Sequence, residues 1–476
     1  MVDYKKELFR WGPADARIIY ADLTMYAVQK YPKIAGVGWP DFLLYFKDKR
    51  LLFLAEDKKL RDNGEKLFIK YVLNKKRLKK LYKDWILILK KFNYYEKIIN
   101  RGFDNYSNKE FIKFFISWYD FYEEFWLKSW LPELGNWGGE RLLKNKVLER
   151  YPKNYLEILE SLPAPEKSSF YQKEEFSLLK IKLLKNKKDI EIALVRHAKK
   201  YYWLANSYFE VRVLDKKYFK NRLSKISQAG ARKKLKEIEN YSKKIKSDKK
   251  NVIKKFKINS EIVSIANGVA YCLWWQDYRK QYILISDYFI NEFIKEISKR
   301  LKISLQDLYY YSYPDLITLL KKGKVVDTKK RKMALLSIYK ENNGYKHIDG
   351  KQALKIIKPF LAEQTIKGVD SVKGLVISRG RGNVSSRARI LFGIKEINKM
   401  KQGEILITTI TTPEFIVAMR KAKAIVTDEG GLTSHAAIVS RELGIPCVVA
   451  TKNATKIFKT GDKIKIDIKT GLCKKI

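Results

Sequence analysis

Glycine is distributed unevenly along this chain, and that distribution most limits what the chain can fold into. Of the 24 glycines, 13 lie in residues 1–365 and 11 lie in the final 111 residues. Long glycine-poor stretches with apolar residues at helical spacing predict helices, whereas frequent glycines mark turns between short elements. We therefore expect a multidomain protein with a mostly helical N-terminal and central body and a different C-terminal domain.

The pattern along the chain predicts three regions. Residues 1–75 contain short apolar runs separated by turn signals, which indicate a mixed α/β segment. Residues 76–365 show helical apolar periodicity with many aromatic residues and are predicted to form a helical body. Residues 366–476 alternate between strand-like and helix-like runs and are predicted to form a separate domain.

The charge balance is strongly basic, with 99 Lys and Arg against 52 Asp and Glu and a formal net charge of +47. Because the basic residues are spread evenly, we interpret the charge first as a property of the whole composition. Non-specific binding of polyanions, nucleic acids included, remains an alternative at low salt. The three cysteines lack metal-binding or paired spacing, and no apolar stretch is long enough to span a membrane. A cytoplasmic protein without membrane contact is expected.

The most informative motif lies in the last 76 residues. A strand-like run at 404–410 precedes a predicted helix that begins near Thr412 and ends near 421–423. A second strand-like run at 424–427 opens into the sequence DEGGLTSH. Another helix is predicted from 436 to 443, where Gly444 and Pro446 end it. This order places His435 at the beginning of a helix.

A histidine in that position can carry a phosphoryl group. The neutral imidazole is a nucleophile near pH 7, and the amides at a helix N-terminus stabilise the phosphate dianion that forms. Gly430 and Gly431 allow close approach of the backbone, while Thr433 and Ser434 supply hydroxyl donors for phosphate oxygens. We therefore predict His435 as the catalytic residue and these four neighbours as phosphate-binding residues.

The sequence GGLTSHAAIVSRELGIPCVVAT resembles the phosphohistidine swivelling domain of the phosphoenolpyruvate-utilising enzymes, such as phosphoenolpyruvate synthase, pyruvate phosphate dikinase and rifampicin phosphotransferase. The resemblance covers residues 366–476. It implies a β/β/α domain that moves between two active sites, with His435 as the phosphorylated residue. A linker at 367–373 is expected to act as its hinge.

In the resembled enzymes, an ATP-grasp domain or a phosphoenolpyruvate-binding barrel supplies the phosphoryl group. The low glycine content of residues 1–365 argues against an ATP-grasp domain there, and 41 residues after His435 leave no room for a barrel. We therefore expect a donor protein in trans, carrying ATP or phosphoenolpyruvate with Mg²⁺. The chain itself shows no cofactor motif and no metal site.

The acceptor is expected to be a small molecule bound by the helical body, which resembles the helical domain of rifampicin-phosphotransferase-like proteins. Trp274, Trp275, Tyr278 and Arg279 are the candidate pocket residues, and packing in the protein core is the alternative interpretation. His197 is predicted to be a partly buried histidine of an amphipathic helix. His347 lies in a loop-like stretch and receives no functional role.

These observations favour a phosphotransferase, or a component of one, that carries a phosphoryl group on His435 to an unknown acceptor. Two alternatives remain open from the sequence. The chain could be a regulatory or interaction protein with a phosphorylatable or relic swivelling domain, or it could be a non-specific polyanion binder.

Overall fold

The structure is a computed structural model that describes residues 2–341, 344–361, 369–380, 382–412, 415–432 and 434–476. The chain divides into two compact units. We call the first the sheet unit; it comprises Met1–Ile69, Leu134–Glu160 and Gln306–Ile476. We call the second the helical unit; it comprises Lys70–Glu133 and Ser161–Leu305.

The strands of the described residues all lie in the sheet unit. They are β1 (Leu8–Asp15), β2 (Phe42–Lys47), β3 (Arg50–Glu56), β4 (Leu335–Lys340), β5 (Gly344–Asp349), β6 (Ser371–Lys373), β7 (Leu375–Ser378), β8 (Val384–Ile390), β9 (Ile405–Thr408), β10 (Ala424–Thr427), β11 (Cys447–Val449), β12 (Lys463–Asp467) and β13 (Leu472–Lys475).

The α-helices occur in both units, and a π-helical turn (Phe68–Val72) and a 3₁₀-helix (Ile394–Lys399) accompany them. They are α1 (Ile18–Ala35), α2 (Asp57–Leu67), α3 (Lys75–Ile99), α4 (Asn108–Ser129), α5 (Leu131–Arg150), α6 (Tyr155–Ser161), α7 (Phe170–Lys182), α8 (Lys187–Tyr201), α9 (Lys216–Ser224), α10 (Gln228–Phe256), α11 (Ser260–Leu301), α12 (Leu305–Leu308), α13 (Tyr313–Lys322), α14 (Thr328–Met333), α15 (Gly350–Leu361), α16 (Ile416–Met419), α17 (His435–Leu443) and α18 (Ala454–Ile457).

These elements confirm the predicted fold class, a mostly helical N-terminal and central body followed by a strand-rich C-terminal region. The helical unit is held together by aromatic rings from α3, α4 and α11. The ring centroid of Trp85 lies 6.0 Å from that of Phe125 and 5.6 Å from that of Trp275. Phe92 approaches Tyr282 to 4.9 Å. Large buried aromatic surfaces supply much of the driving force for packing such helices.

One sheet joins strands that are far apart in the sequence. Its order is β1-β3-β2-β4-β5, and every neighbouring pair is antiparallel. Residues 335–340 and 344–349, which the helical periodicity had placed in the helical body, form β4 and β5. A short apolar run such as LLSIYK suits a buried strand as well as a helix, and pairing with β2 decides the outcome. His347 therefore lies in a strand, and its assignment to a loop was wrong.

The second sheet carries the C-terminal motif. Its order is β6-β13-β12-β8-β9-β10-β11-β7. The strands β8, β9, β10 and β11 are mutually parallel, and the flanking pairs are antiparallel. Ile405, Ile407 and Val426 form part of its buried core. Of the predicted linker, residues 367 and 368 lie outside the described residues, and Ser371–Lys373 pair with β13 as β6.

Helix α5 is anchored on α2 within the sheet unit. A Cβ atom added to Gly138 would lie 1.9 Å from the backbone nitrogen of Glu65, so the two backbones meet at a distance that only glycine permits. The guanidinium of Arg141 lies 2.7 Å from a carboxylate oxygen of Asp62 and 2.8 Å from one of Glu65. The position of α5 is thus fixed from Leu134 onward.

Across the described ranges, no helix combines the length and apolar character that crossing a membrane requires.

Candidate functional site

The C-terminal motif occupies one edge of the parallel strands. Residues 409–412 follow β9, and residues 428–432, which we call the histidine loop, follow β10. Because β9 and β10 are parallel neighbours, the segments after them meet at the carboxyl edge of the sheet. The backbone N–H groups of Asp428 and Glu429 donate to Thr408 and Thr409 at 3.1 and 2.9 Å. This pairing brings the histidine loop beside the segment after β9.

Helix α17 begins at His435, one residue earlier than predicted. Ser434 is its N-cap: the Ser434 Oγ accepts the N–H of Ala437 at 3.3 Å and donates to the carbonyl of Gly431 at 2.9 Å. Gly430 adopts a φ of +112°, a conformation that glycine accommodates without strain. Thr433, predicted as a phosphate-binding residue, lies outside the described residues.

His435 is half-buried, and its Nδ1 lies 3.0 Å from the Oγ1 of Thr411. Thr411 is buried and follows β9. A hydroxyl bonded to one ring nitrogen orients the imidazole, and the Thr411 hydroxyl can accept a proton from Nδ1 or donate one to it. No role was predicted for Thr411 from the sequence, although its position just after a predicted strand was a signal that could have identified it.

Two acidic residues begin the histidine loop. The carboxylate of Asp428 accepts the N–H of Thr455 at 3.0 Å and the hydroxyls of Thr451 and Thr455, and burial raises its pKa. Burial also raises the pKa of Glu429 to about 7, and the neighbouring Asp428 adds to that rise. The positive charges of Arg10 and Lys452 lower the pKa of Glu429 and offset part of this rise. Glu429 therefore exchanges a proton near neutral pH.

A third acidic residue reaches the histidine loop from α5. The Oε1 of Glu140 accepts the backbone N–H of Leu432 at 2.6 Å, although the two residues are 292 positions apart. The carbonyl of Leu432 accepts a hydrogen bond of 3.0 Å from Arg441 of α17. The local sequence around Glu140 does not predict this contact, because the contact depends on the tertiary arrangement of the sheet unit.

The predicted acceptor-pocket residues lie on α11 in the helical unit. The ring of Trp274 stacks on that of Tyr278 at 5.7 Å, and Trp275 is fully buried. The guanidinium of Arg279 donates to the carbonyl of Ser129 at 2.6 Å and pairs with Glu133. The structure thus brings the four residues together through helix packing, and their role in acceptor binding stays a prediction.

His197 lies in α8 of the helical unit, as the amphipathic pattern predicted, and it is almost completely buried. Its Nε2 lies 3.0 Å from a carboxylate oxygen of Glu174, which also pairs with Arg222 at 2.8 Å. Within the ranges that the structure describes, no group of three or more His, Cys, Asp or Glu side chains is arranged to hold a metal ion.

Comparisons with known proteins match the C-terminal region. Residues 400–471 match the family model described as "PEP-utilising enzyme, mobile domain". Phosphoenolpyruvate synthase of Pyrococcus furiosus is 54% identical over 111 residues, which make up 23% of this chain and 13% of that protein. A "probable phosphoenolpyruvate synthase" of Pyrococcus horikoshii is 48% identical over 137 residues, or 27% of this chain and 16% of that protein.

A third relative, phosphoenolpyruvate synthase of Aquifex aeolicus, is 48% identical over 118 residues, or 25% of this chain and 14% of that protein. The matched part therefore spans about a sixth of the length of these curated relatives, or less. A solved structure of Enzyme I, determined by NMR, is 18% identical and covers 70% of this chain and 79% of that chain with a TM-score of 0.17, a score that supports no argument. The resemblance of the C-terminal region to the mobile domain is confirmed.

Proposed function

We propose that this protein is a phosphotransferase component that carries a phosphoryl group on the Nε2 of His435. The observation that carries the proposal is the contact between the His435 Nδ1 and the Thr411 hydroxyl at the N-terminus of α17. With the proton of the neutral ring on Nδ1 and donated to Thr411, the lone pair of Nε2 is the nucleophile.

The first transfer breaks the bond between phosphorus and the leaving oxygen of the donor and forms a bond between phosphorus and Nε2. With ATP as donor the leaving group is a nucleotide phosphate; with phosphoenolpyruvate it is the enolate of pyruvate, which takes a proton from water. The second transfer breaks the phosphorus–nitrogen bond as an oxygen of the acceptor attacks and loses its proton.

The surroundings of His435 suit the charge that forms. The amides at the start of α17 and its macrodipole attract an anion. Burial raises the pKa of both acidic residues at the start of the histidine loop, so Glu429 is partly neutral near pH 7. A partly neutral loop repels the incoming phosphoryl group less than a fully ionised one.

We propose that the donor is a separate protein with an ATP-grasp or phosphoenolpyruvate-binding domain, loaded with its substrate and Mg²⁺. The proposed substrates of the donor follow from the matched family, described as "PEP-utilising enzyme, mobile domain", and from relatives named phosphoenolpyruvate synthase. The acceptor is a small molecule bound by the helical unit, in the cytoplasm.

The test is the intact mass of the purified protein after incubation with ATP and Mg²⁺ or with phosphoenolpyruvate and Mg²⁺, each with and without host lysate. We expect an acid-labile phosphoryl adduct that depends on lysate and disappears in His435→Gln. His197→Gln is the control, because it removes another histidine and leaves the histidine loop intact. An adduct that persists in His435→Gln contradicts the proposal, and the absence of any adduct favours a regulatory or relic domain.

A further inference from the structure

The main chain of Leu432 is held from both sides by charged side chains. Its N–H donates to Glu140 at 2.6 Å and its carbonyl accepts from Arg441 at 3.0 Å. The side chain of Leu432 is fully buried. The loop is therefore fastened at Leu432, three residues before the histidine that we propose as the phosphoryl carrier.

The contact with Glu140 is too close for any side chain at the neighbouring position. A Cβ atom added to Gly431 would lie 2.2 Å from the Oε1 of Glu140 and 3.1 Å from the Oε2. Glu140 itself is 8% exposed. A buried carboxylate thus lies directly against the backbone of the histidine loop, and glycine at 431 makes that approach possible.

The helix that carries Glu140 does not depend on the histidine loop for its position. Gly138 packs against the backbone of α2, and Arg141 forms ion pairs with two residues of α2, Asp62 and Glu65. Glu140 lies between these two anchored residues in the sequence. The carboxylate of Glu140 therefore contacts the histidine loop from a helix whose position is set by other contacts.

The negative charge of this carboxylate repels the negative charge of a phosphorylated histidine. Three residues of chain span at most about 10 Å, which is close to the Debye length of about 8–10 Å at moderate salt. A phosphoryl group adds roughly two negative charges, which act on the carboxylate through this short and partly buried distance. Arg441, which donates to the carbonyl of Leu432, offsets part of this repulsion.

We propose that Glu140 is a latch that holds the histidine loop against α5 while His435 is unmodified and releases it when His435 is phosphorylated. The proposal rests on the proposed function for its trigger. A neutral His435 is compatible with the loop held against Glu140, whereas a phosphorylated His435 is repelled by that carboxylate. Phosphorylation therefore shifts the population from the docked loop to the released loop. The contact thereby couples release of the loop to the presence of a phosphoryl group on His435.

The experiment places a fixed negative charge at position 435, so it needs no phosphoryl donor. Hydrogen exchange is measured by mass spectrometry on the peptide that contains the Leu432 amide, in His435→Glu and in His435→Gln. We expect the Glu variant to exchange about tenfold faster than the Gln variant when Glu140 is present. When each is combined with Glu140→Gln, we expect the ratio to fall close to one.

Glu149→Gln is the matched control, since Glu149 is an exposed residue of the same helix and its neutralisation should leave the tenfold ratio unchanged. Thermal unfolding of each variant checks that the fold persists. A ratio near one with Glu140 present, or the same ratio in both backgrounds, overturns the latch. If Glu140→Gln proves unstable, exchange of the wild-type peptide before and after chemical phosphorylation with phosphoramidate gives the answer, and unchanged exchange overturns the latch.

The two proposals fail in different ways. A phosphoryl adduct on His435 without any change in exchange leaves the carrier function in place and removes the latch. A charge-dependent exchange ratio without any adduct from ATP or phosphoenolpyruvate leaves the charge-sensitive contact of Glu140 in place, and removes the carrier function and with it the trigger of the latch.

Discussion

The regions around His197 and His435 differ although both histidines contact a hydroxyl through Nδ1 at 3.0 Å. His197 lies within helix α8, almost fully buried, and its second nitrogen is bonded to the carboxylate of Glu174. His435 is half-buried and begins helix α17. The comparison teaches that the position of an imidazole relative to a helix end, rather than the hydroxyl at its Nδ1, separates a structural histidine from a proposed carrier.

The largest expected effect comes from exchanging the two histidines for glutamine, one at a time. His435→Gln should abolish the phosphoryl adduct and leave the unfolding temperature nearly unchanged. His197→Gln should keep the adduct and lower the free energy of unfolding by about 2 kcal/mol, because a buried carboxylate loses a hydrogen-bonding partner. Intact mass and thermal denaturation measure both properties. Loss of the adduct in His197→Gln would remove the distinction between the two regions.

The carboxylate of Glu174 should be the strongest single contributor to stability in the region around His197. It is 2% exposed and pairs with both Arg222 and His197. Truncation to alanine leaves a guanidinium without its partner and should cost about 3–5 kcal/mol. Chemical denaturation measures this loss, and phosphorylation of the folded variant should be unaffected. A cost below about 1 kcal/mol would show that this cluster contributes little.

Glu429 gives the region around His435 a pH dependence. Burial raises its pKa from 4.5 to about 7, so the folded chain keeps a proton that the unfolded chain loses. The free energy of unfolding should therefore be highest below about pH 4.5, fall as the pH rises to about 7, and level off above. The total change is about 3 kcal/mol at most.

Glu429→Gln resembles the protonated side chain at every pH and should lack this dependence. The measurement is the difference in urea midpoint between wild type and variant from pH 5 to pH 8, which cancels the titration of other groups. We expect the wild type to lose stability relative to the variant as the pH rises. A constant difference would mean that Glu429 titrates at an ordinary pKa.

The smallest effects should come from the two hydroxyls. Thr411→Val removes the partner of His435 and should slow phosphorylation about tenfold, as expected for a loss of about 1.4 kcal/mol in the transition state. Ser177→Ala removes the partner of His197 and should lower stability by about 1 kcal/mol without slowing phosphorylation. Rate measurements on both variants, made with the same donor lysate, test the pair. Equal rates would place both hydroxyls in the same structural role.

The sequence predicted the local features of the C-terminal region well. The predicted strand at 424–427 coincides with β10, and the helix predicted from 436 to 443 differs from α17 by one residue. Local signals determine these elements: Ser434 caps the helix and Gly444, with a φ of +64°, ends it. The predicted helix after Thr412 is shorter, since α16 spans Ile416–Met419, and residues 413 and 414 lie outside the described residues.

Features that depend on distant pairing could not be predicted. The contact of Glu140 with Leu432 joins residues 292 positions apart, and the pairing of β4 with β2 joins segments separated by most of the helical unit. Apolar periodicity reports only which face of an element is buried, without naming the partner. A single sequence therefore located His435 but gave no indication of the carboxylate from α5.

The placement of β4 beside β2 also constrains how the protein is synthesised. After Lys47 has left the ribosome, one edge of β2 stays unpaired until β4, which begins at Leu335, has been synthesised. At about 5–20 residues per second, that delay is about 15–60 s. An unpaired strand edge is prone to associate with other chains during such a delay. The emerging polypeptide thus passes through an interval in which a chaperone, or the early folding of the intervening helices, governs its yield.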